Sequence, residues 1–314
     1  MAAAPPRRTP TKILVTGAAG FVGGHLMPAL RTLFPDAAIE PSSFDVTDAD
    51  AVRSAVHAMQ PDACIHLAAI SAIPAAQADP DLAWRVNLGG TLNLARALAG
   101  VPGCTLLFAS TADAYGQSFK RGVALDESAA LNPMNTYGAT KAAADLALGA
   151  MARDGLHVIR ARPFNHTGPG QSASFVVAAF ARQVARIAAG LQTPELQVGA
   201  LDPFRDFLDV RDVCRAYALC LQQRDALASG SILNIASGTP RRVGDVLSEL
   251  LAVAGVSAEI RTDPARMRPS EIATAAGDAT QARAVLGWAP AIPWAQTLAD
   301  MLADWRERVG SEPS

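Results

Sequence analysis

Tyr137 and Lys141 stand four residues apart in Tyr137-Gly138-Ala139-Thr140-Lys141. On a helix that spacing puts both side chains on one face. A neighbouring ammonium favours the phenolate, which makes a tyrosine usable as an acid or base near neutral pH. The chain holds only three tyrosines (Tyr115, Tyr137, Tyr217) and three lysines (Lys12, Lys120, Lys141). With so few of each, chance supplies about 0.03 pairs at this spacing. The competing reading is an accidental helical Tyr and Lys. A second cluster, Ser110-Thr111-Ala112-Asp113-Ala114-Tyr115-Gly116, follows the strand-like run Thr105–Ser110. Ligands of open α/β sheets bind beyond the carboxyl ends of strands. A hydroxyl here can bond a substrate oxygen, although Ser and Thr also end strands and start turns for purely local reasons.

Thr16-Gly17-Ala18-Ala19-Gly20-Phe21-Val22-Gly23 lies between an apolar run, Lys12–Thr16, and a predicted helix, Phe21–Leu33. Glycines in such a turn let a pyrophosphate approach the backbone and meet the free N–H groups of the helix start. The spacing is G-x-x-G-x-x-G rather than G-x-G-x-x-G, and glycines in a βα turn also serve structure alone. A second strand over about Ala37–Pro41 ends near Glu40. A carboxylate there bonds a ribose 2′-OH and repels a 2′-phosphate, which favours NAD. Glu40 is equally readable as a solvated charge at a strand end, and Asp45 as an acceptor for adenine or as a turn residue.

Positioning these groups requires a sheet. Further strand-like runs are Ala63–Leu67, Val158–Arg162, Leu196–Val198 and Ile232–Ile235. Helical stretches fall at Ala49–Ala58, Leu82–Ala99, Thr136–Ala152, Ser174–Ala189, Val210–Gln223, Val243–Ala254, Thr280–Leu286 and Trp294–Trp305. The alternation predicts an α/β fold, a doubly wound parallel sheet with a smaller C-terminal lobe. The expected division is a tail over 1–11, a dinucleotide-binding domain over 12–163 that regains about 205–237, and a substrate lobe over 164–204 and 238–314. Of 314 residues half are hydrophobic and 18% charged, enough for a large core and too little charge for disorder. A net charge of −2 argues against nucleic-acid binding. No apolar run reaches membrane-span length, and the start carries no secretory h-region. Cys64, Cys104, Cys214 and Cys220 lack metal spacing and read as buried free thiols of a cytoplasmic protein.

With these residues in place, the chain resembles the extended short-chain dehydrogenase/reductases that act on nucleotide sugars. The likeness runs from Lys12 to Trp305 and rests on TGAAGFVG, HLAA at 66–69, the VN..GT pattern at 86–91, STADAYG and YGATK. It implies a catalytic triad of Thr111, Tyr137 and Lys141. Tyr137 is then the general acid, and Lys141 holds the nicotinamide ribose and depresses the tyrosine pKa. It implies a nicotinamide dinucleotide on Gly17, Gly20, Phe21, Val22, Glu40, Asp45, Val46, Leu67, Ala68, Ala69, Asn87 and Pro163 beside that pair. Glu40 points to NAD and the resemblance to NADP. Helices equivalent to Leu82–Ala99 and Thr136–Ala152 commonly pair such proteins into homodimers.

The second half narrows the resemblance. Arg162-Pro163-Phe164-Asn165-His166-Thr167-Gly168-Pro169-Gly170-Gln171, the stretch Arg205–Asp212, DPARMRPSE at 263–271 and LGWAP at 286–290 are similar to GDP-4-keto-6-deoxymannose reductases. This implies a GDP-linked 4-keto-6-deoxy sugar held by Ser71, Thr111, Asp113, Asn165, Val176, Arg205, Arg268 and Glu271. Arg205 and Arg268 suit the diphosphate, since guanidinium forks match anionic oxygens. Asp209, Arg211 and Asp212 read as an ion-pair cluster at a helix start. The family's usual Glu is Asp at position 113, and a second family serine after Ser71 is missing. The expected activity is NAD(P)H-dependent reduction at C4 to a GDP-6-deoxyhexose of the GDP-D-rhamnose type, with no metal. A 4-epimerase, a GDP-mannose 4,6-dehydratase and a catalytically silent NAD(P)-sensing protein are the alternatives.

Overall fold

The computed structural model describes residues 9–267 and 272–311. Six parallel strands form the main sheet: β1 (Lys12–Thr16), β2 (Ala38–Pro41), β3 (Ala63–His66), β4 (Thr105–Ala109), β5 (His157–Pro163) and β9 (Ser231–Ile235). Their order is β2-β1-β3-β4-β5-β9. The chain leaves β1 for one side of the sheet and returns to β3 on the other, so a crevice opens where β1 and β3 diverge. Alternate residues of each strand face opposite layers. Ile13 and Val15 pack with α1 (Phe21–Leu33) and α8 (Val210–Gln222), while Leu14 packs with α2 (Ala49–Met59) and α5 (Thr91–Ala99). The second layer also contains Ala144 and Leu148 of α6 (Thr136–Met151).

The remaining chain builds the smaller lobe. Its mixed sheet runs β10 (Pro240–Arg242), β8 (Phe204–Asp209) and β12 (Thr274–Ala275), with β6 (Asn165–Thr167) also pairing with β8. A separate pair joins β7 (Glu195–Val198) to β11 (Glu259–Thr262). A second apolar core binds α7 (Val176–Ala188), α9 (Val243–Ala254) and α11 (Trp294–Gly310). The expected cluster at the start of α8 joins the helices: Arg211 reaches Asp209 and Asp300, each at 2.7 Å. Asp212 pairs with Arg215 and accepts from the backbone of Ala291 and Ile292.

Three local expectations change. The helix read over Leu82–Ala99 is interrupted: α4 (Pro80–Trp84), which follows α3 (Ile73–Ala78), passes through a π-helical turn over Arg85–Gly90 into α5. The stretch Arg205–Asp212 was not expected to contain a strand, yet Phe204–Asp209 is β8. Its alternation is hidden because Asp206 occupies an inward position, where it accepts from Ser237 N (2.8 Å), Ser237 Oγ, Gly238 N (2.9 Å) and Gly277 N (3.3 Å). The predicted tail also ends earlier than 11. Thr11 already donates from its backbone and hydroxyl to Asp62, at 2.8 and 2.6 Å, while residues 1–8 lie outside the described part. All four cysteines are free and buried. No helix of the described residues is long and apolar enough to cross a membrane.

Candidate active site

The glycine loop meets the β3 end at the crevice. Gly17 has φ +71°, and a Cβ there would lie 2.7 Å from Ala68 N. Gly23 lets α1 pass the loop, since a Cβ would stand 2.4 Å from Ala18 O. The helix start has no side-chain cap and no acid in its first turn. Its N–H groups are therefore available to an anion. Gly17→Ala is expected to cost about 1–3 kcal/mol through strain and backbone overlap. Thermal melting and dinucleotide titration would both register it.

A hydrogen-bonded chain links this loop to α6. Ala68 N donates to Thr16 Oγ1 (3.3 Å), and Thr16 Oγ1 meets His66 Nδ1 at 2.6 Å. His66 Nε2 meets Thr91 Oγ1 at 2.9 Å, and that hydroxyl spends its proton on Asn87 O at 2.6 Å. Thr91 must then accept, so the His66 proton is on Nε2 and Nδ1 receives from Thr16. Burial, and secondarily Lys141, pushes the His66 pKa down to about 3, so the ring stays neutral. Asn87 brackets Ile70, accepting from its N–H (2.8 Å) and donating to its carbonyl (3.1 Å). It also donates to Thr140 Oγ1 (2.9 Å), which donates to Tyr137 O (2.8 Å). Asn87 sits in the π-helical turn, a distortion frequent at functional sites.

Thr111 and Asp113 follow β4 and lie beside Tyr137, Arg205 of β8 acts on Asp113, and Lys141 lies over Phe108 of β4. Thr111 caps a short turn, its Oγ1 accepting from Asp113 N at 3.2 Å. The same hydroxyl faces the Tyr137 phenol and favours its ionised form. The net result on Tyr137 is opposite to the expected depression. Burial, and then the adjacent Asp113 charge, raise its pKa well above the ordinary tyrosine value. Lys141 is 2% exposed, and its Nζ lies 4.1 Å from the Phe108 ring centroid. No hydrogen bond or ion pair engages that Nζ among the described residues. Burial lowers its pKa to about 7, with Asp145 opposing. Asp113 is raised by burial against the pull of Arg205, and Arg205 is lowered by burial against the pull of Asp113. Arg205 Nη1 donates to Phe204 O (2.7 Å) and Ile272 O (3.2 Å).

The other expected residues are placed less uniformly. Leu67, Ala68 and Ala69 follow β3, with Leu67 and Ala68 against Gly17, and exposed Ser71 comes two residues after Ala69. Pro163 ends β5, and buried Val46 lies beside α5, with Asn93 Nδ2 donating to its carbonyl at 3.1 Å. Phe21 stacks on His166 (centroids 6.3 Å apart), which brings α1 to the exposed Asn165 at the start of β6. Val176 opens α7 and is 40% exposed. Asp45 turns on itself, accepting from Thr47 N (2.8 Å) and Thr47 Oγ1 (2.9 Å). Glu40 lines a groove with Lys12, Ala55, Ala58 and Met59, which contains no residue of the glycine loop. Arg268 and Glu271 lie outside the described residues. His66, Asp145 and Arg162 were missed. The HLAA motif held the signal for His66, and the i, i+4 spacing from Lys141 held it for Asp145. Among the described residues no group of three or more His, Cys, Asp or Glu could hold a metal.

The family model described as GDP-mannose 4,6 dehydratase matches residues 31–301. The chain is 40% identical over 306 residues to the GDP-6-deoxy-D-mannose reductase of Pseudomonas aeruginosa, covering 96% of this chain and 99% of that protein. It is 30% identical to the UDP-glucose 4-epimerase of Streptomyces lividans, over 89% of this chain and 91% of the other. The solved structure of RMD from Pseudomonas aeruginosa complexed with NADPH superimposes with a TM-score of 0.88 at 37% identity, over 95% of this chain and 99% of that one.

Proposed function

Since the chain belongs to the GDP-mannose 4,6-dehydratase family, a nucleotide-sugar branch of the extended short-chain dehydrogenase/reductases, we propose that it reduces the C4 keto group of a GDP-4-keto-6-deoxyhexose with NAD(P)H. The product is a GDP-6-deoxyhexose of the GDP-D-rhamnose type. The observation that carries this reading is the full-length likeness to a GDP-6-deoxy-D-mannose reductase. The site agrees with a dinucleotide on three counts: the close backbone approach at Gly17, the uncapped start of α1 and the unpartnered Nζ of Lys141. When bound, that dinucleotide supplies the hydride.

The chain's own groups do the rest. Reduction needs a proton at the C4 oxygen, and the raised pKa keeps Tyr137 protonated and ready to donate. Thr111 steadies the same oxygen with its hydroxyl. Lys141 gives its free N–H groups to the nicotinamide ribose. Gly17, Gly20, Phe21 and Val22 receive the pyrophosphate, with Val46, Leu67, Ala68, Ala69, Asn87 and Pro163 along the dinucleotide. Arg205 and Arg268 are the groups we assign to the GDP diphosphate, and Ser71, Asn165, Val176 and Glu271 those we assign to the rest of the sugar nucleotide. Asp113 is the one carboxylate that the Tyr137 pKa reflects; burial raises its own pKa, and the Arg205 charge opposes that rise. A dehydratase needs a carboxyl that reaches the 6-OH, and Asp113 is one methylene shorter than the family's usual Glu, which favours reduction.

The test is direct. Mixing the protein with GDP-4-keto-6-deoxymannose and NADPH or NADH should bleach the nicotinamide absorbance band. No loss with either cofactor overturns the reading, and mass spectrometry of a co-purified dinucleotide separates NAD from NADP. A homodimer belongs to the same proposal. Leu146, in the middle of α6, is 60% exposed and Trp84 of α4 is 39% exposed. Light scattering on the purified protein should give twice the chain mass.

A further inference from the structure

Asp145 stands one turn beyond Lys141 on α6, the spacing at which lysine and aspartate ordinarily pair. Here they do not. Asp145 Oδ1 accepts from Arg160 Nη1 (3.0 Å) and Arg162 Nη2 (2.9 Å), and Oδ2 accepts from Arg162 Nε (3.0 Å). Arg160 and Arg162 are two apart on β5 and reach α6 together. Each is anchored elsewhere. Arg160 Nη2 donates to Gly230 O at 2.6 Å. Arg162 Nη1 donates to Tyr115 OH (3.0 Å), which donates to Asn234 Oδ1 (2.8 Å). Asp145 is fully buried, and a buried bidentate guanidinium outcompetes an ammonium for a carboxylate.

We propose that Arg160 and Arg162 are positioning residues that occupy Asp145 and so keep Lys141 free for the dinucleotide ribose. The inference rests on the reading that this site binds NAD(P)H. The charged and titratable groups around Lys141 all fit it. On its own helix are Tyr137 and the occupied Asp145; from β3 comes neutral His66; from β5 come the two arginines; from β4 comes the Phe108 ring. With its acid already taken and burial acting on it, the ammonium is depressed to about 7. Binding of the ribose favours the charged form, so at pH 8 dinucleotide binding takes up a proton.

The experiment is calorimetric titration of the whole protein with NADPH and NADH at pH 8, in buffers of different ionisation enthalpy. Wild type should bind one of them with proton uptake; binding of neither overturns the dinucleotide reading itself. In Arg162→Met, Oδ2 of Asp145 becomes available to Lys141. Affinity should then fall about tenfold and proton uptake should vanish. Adding Asp145→Asn removes the competing carboxylate and should restore affinity to within about threefold of wild type. A merely structural role for the arginine predicts the reverse, with the double variant binding no better than the single one. That result, or an unchanged affinity in Arg162→Met, overturns the proposal. Should Arg162→Met fail to fold, the more exposed Arg160→Gln removes one of the three bonds to Asp145. It should shift affinity in the same direction by about threefold, with the same rescue by Asp145→Asn; an unchanged affinity there also overturns it.

Discussion

Tyr137→Phe should lower kcat for reduction by about a thousandfold while leaving dinucleotide affinity within about threefold of wild type. The proton delivered to the C4 oxygen has no equivalent donor nearby. Thr111 is a hydroxyl with no acidic character of its own, and Asp113, although raised by burial, is held in the field of Arg205. The phenol differs from both because burial and Asp113 push its pKa upward, so the free enzyme carries a protonated Tyr137 through neutral and mildly alkaline pH. The acid therefore does not limit the pH profile. The limit comes from Lys141, whose lowered pKa near 7 means the cationic form is lost as pH rises through that value. Reductase kcat/KM should fall above about pH 7 for wild type. The dinucleotide affinity of Tyr137→Phe should fall with pH in the same way, because Lys141 is intact. Single-turnover nicotinamide absorbance measures the first effect and fluorescence titration the second. A kcat loss smaller than about tenfold would assign the proton to Asp113 or solvent instead.

Much of this site was readable from local pattern, and the reason is that its chemistry is local. Lys12–Thr16 followed by glycines specifies a strand, a turn and a helix start within a dozen residues, and the structure sets Gly17 against Ala68 in that turn. Tyr137 and Lys141 share one helix, so their spacing alone places them on one face. What stayed hidden depends on residues far apart in the chain. Arg205 lies on a strand whose inward position is filled by Asp206, so no apolar alternation marks it, and the loop that satisfies Asp206 comes from Ser237 and Gly277. The expected effect of Lys141 on Tyr137 followed from a pair in isolation. Burial of both groups, and Asp113 beside the phenol, reverse it. The i, i+4 spacing from Lys141 points to Asp145, but the two arginines that occupy it come from β5, distant in the chain.

Lys141→Met should make the protein more stable and nearly inactive. The side chain is 2% exposed, and among the described residues its ammonium meets only the Phe108 ring. A buried cation without a carboxylate or hydrogen-bond acceptor costs stability, and a methionine of similar length fills the space without that cost. The gain without dinucleotide should be about 2 kcal/mol near neutral pH. Its pH dependence follows from the direction of the shift. The folded pKa lies near 7, below the ordinary 10.5. The penalty in wild type is therefore absent above about 10.5, grows as pH falls toward 7, and is constant below that. Denaturant unfolding of the two proteins should accordingly converge at high pH and separate as pH drops. Adding NAD(P)H should reverse the order, because only wild type gains from binding. Equal stability of the two proteins at pH 7 would mean that Lys141 is already satisfied without the dinucleotide. The same substitution should also lower kcat/KM by about a hundredfold or more. A lysine that costs the fold stability but is needed for turnover is a group kept for its ligand, and the free Nζ is the structural form of that trade.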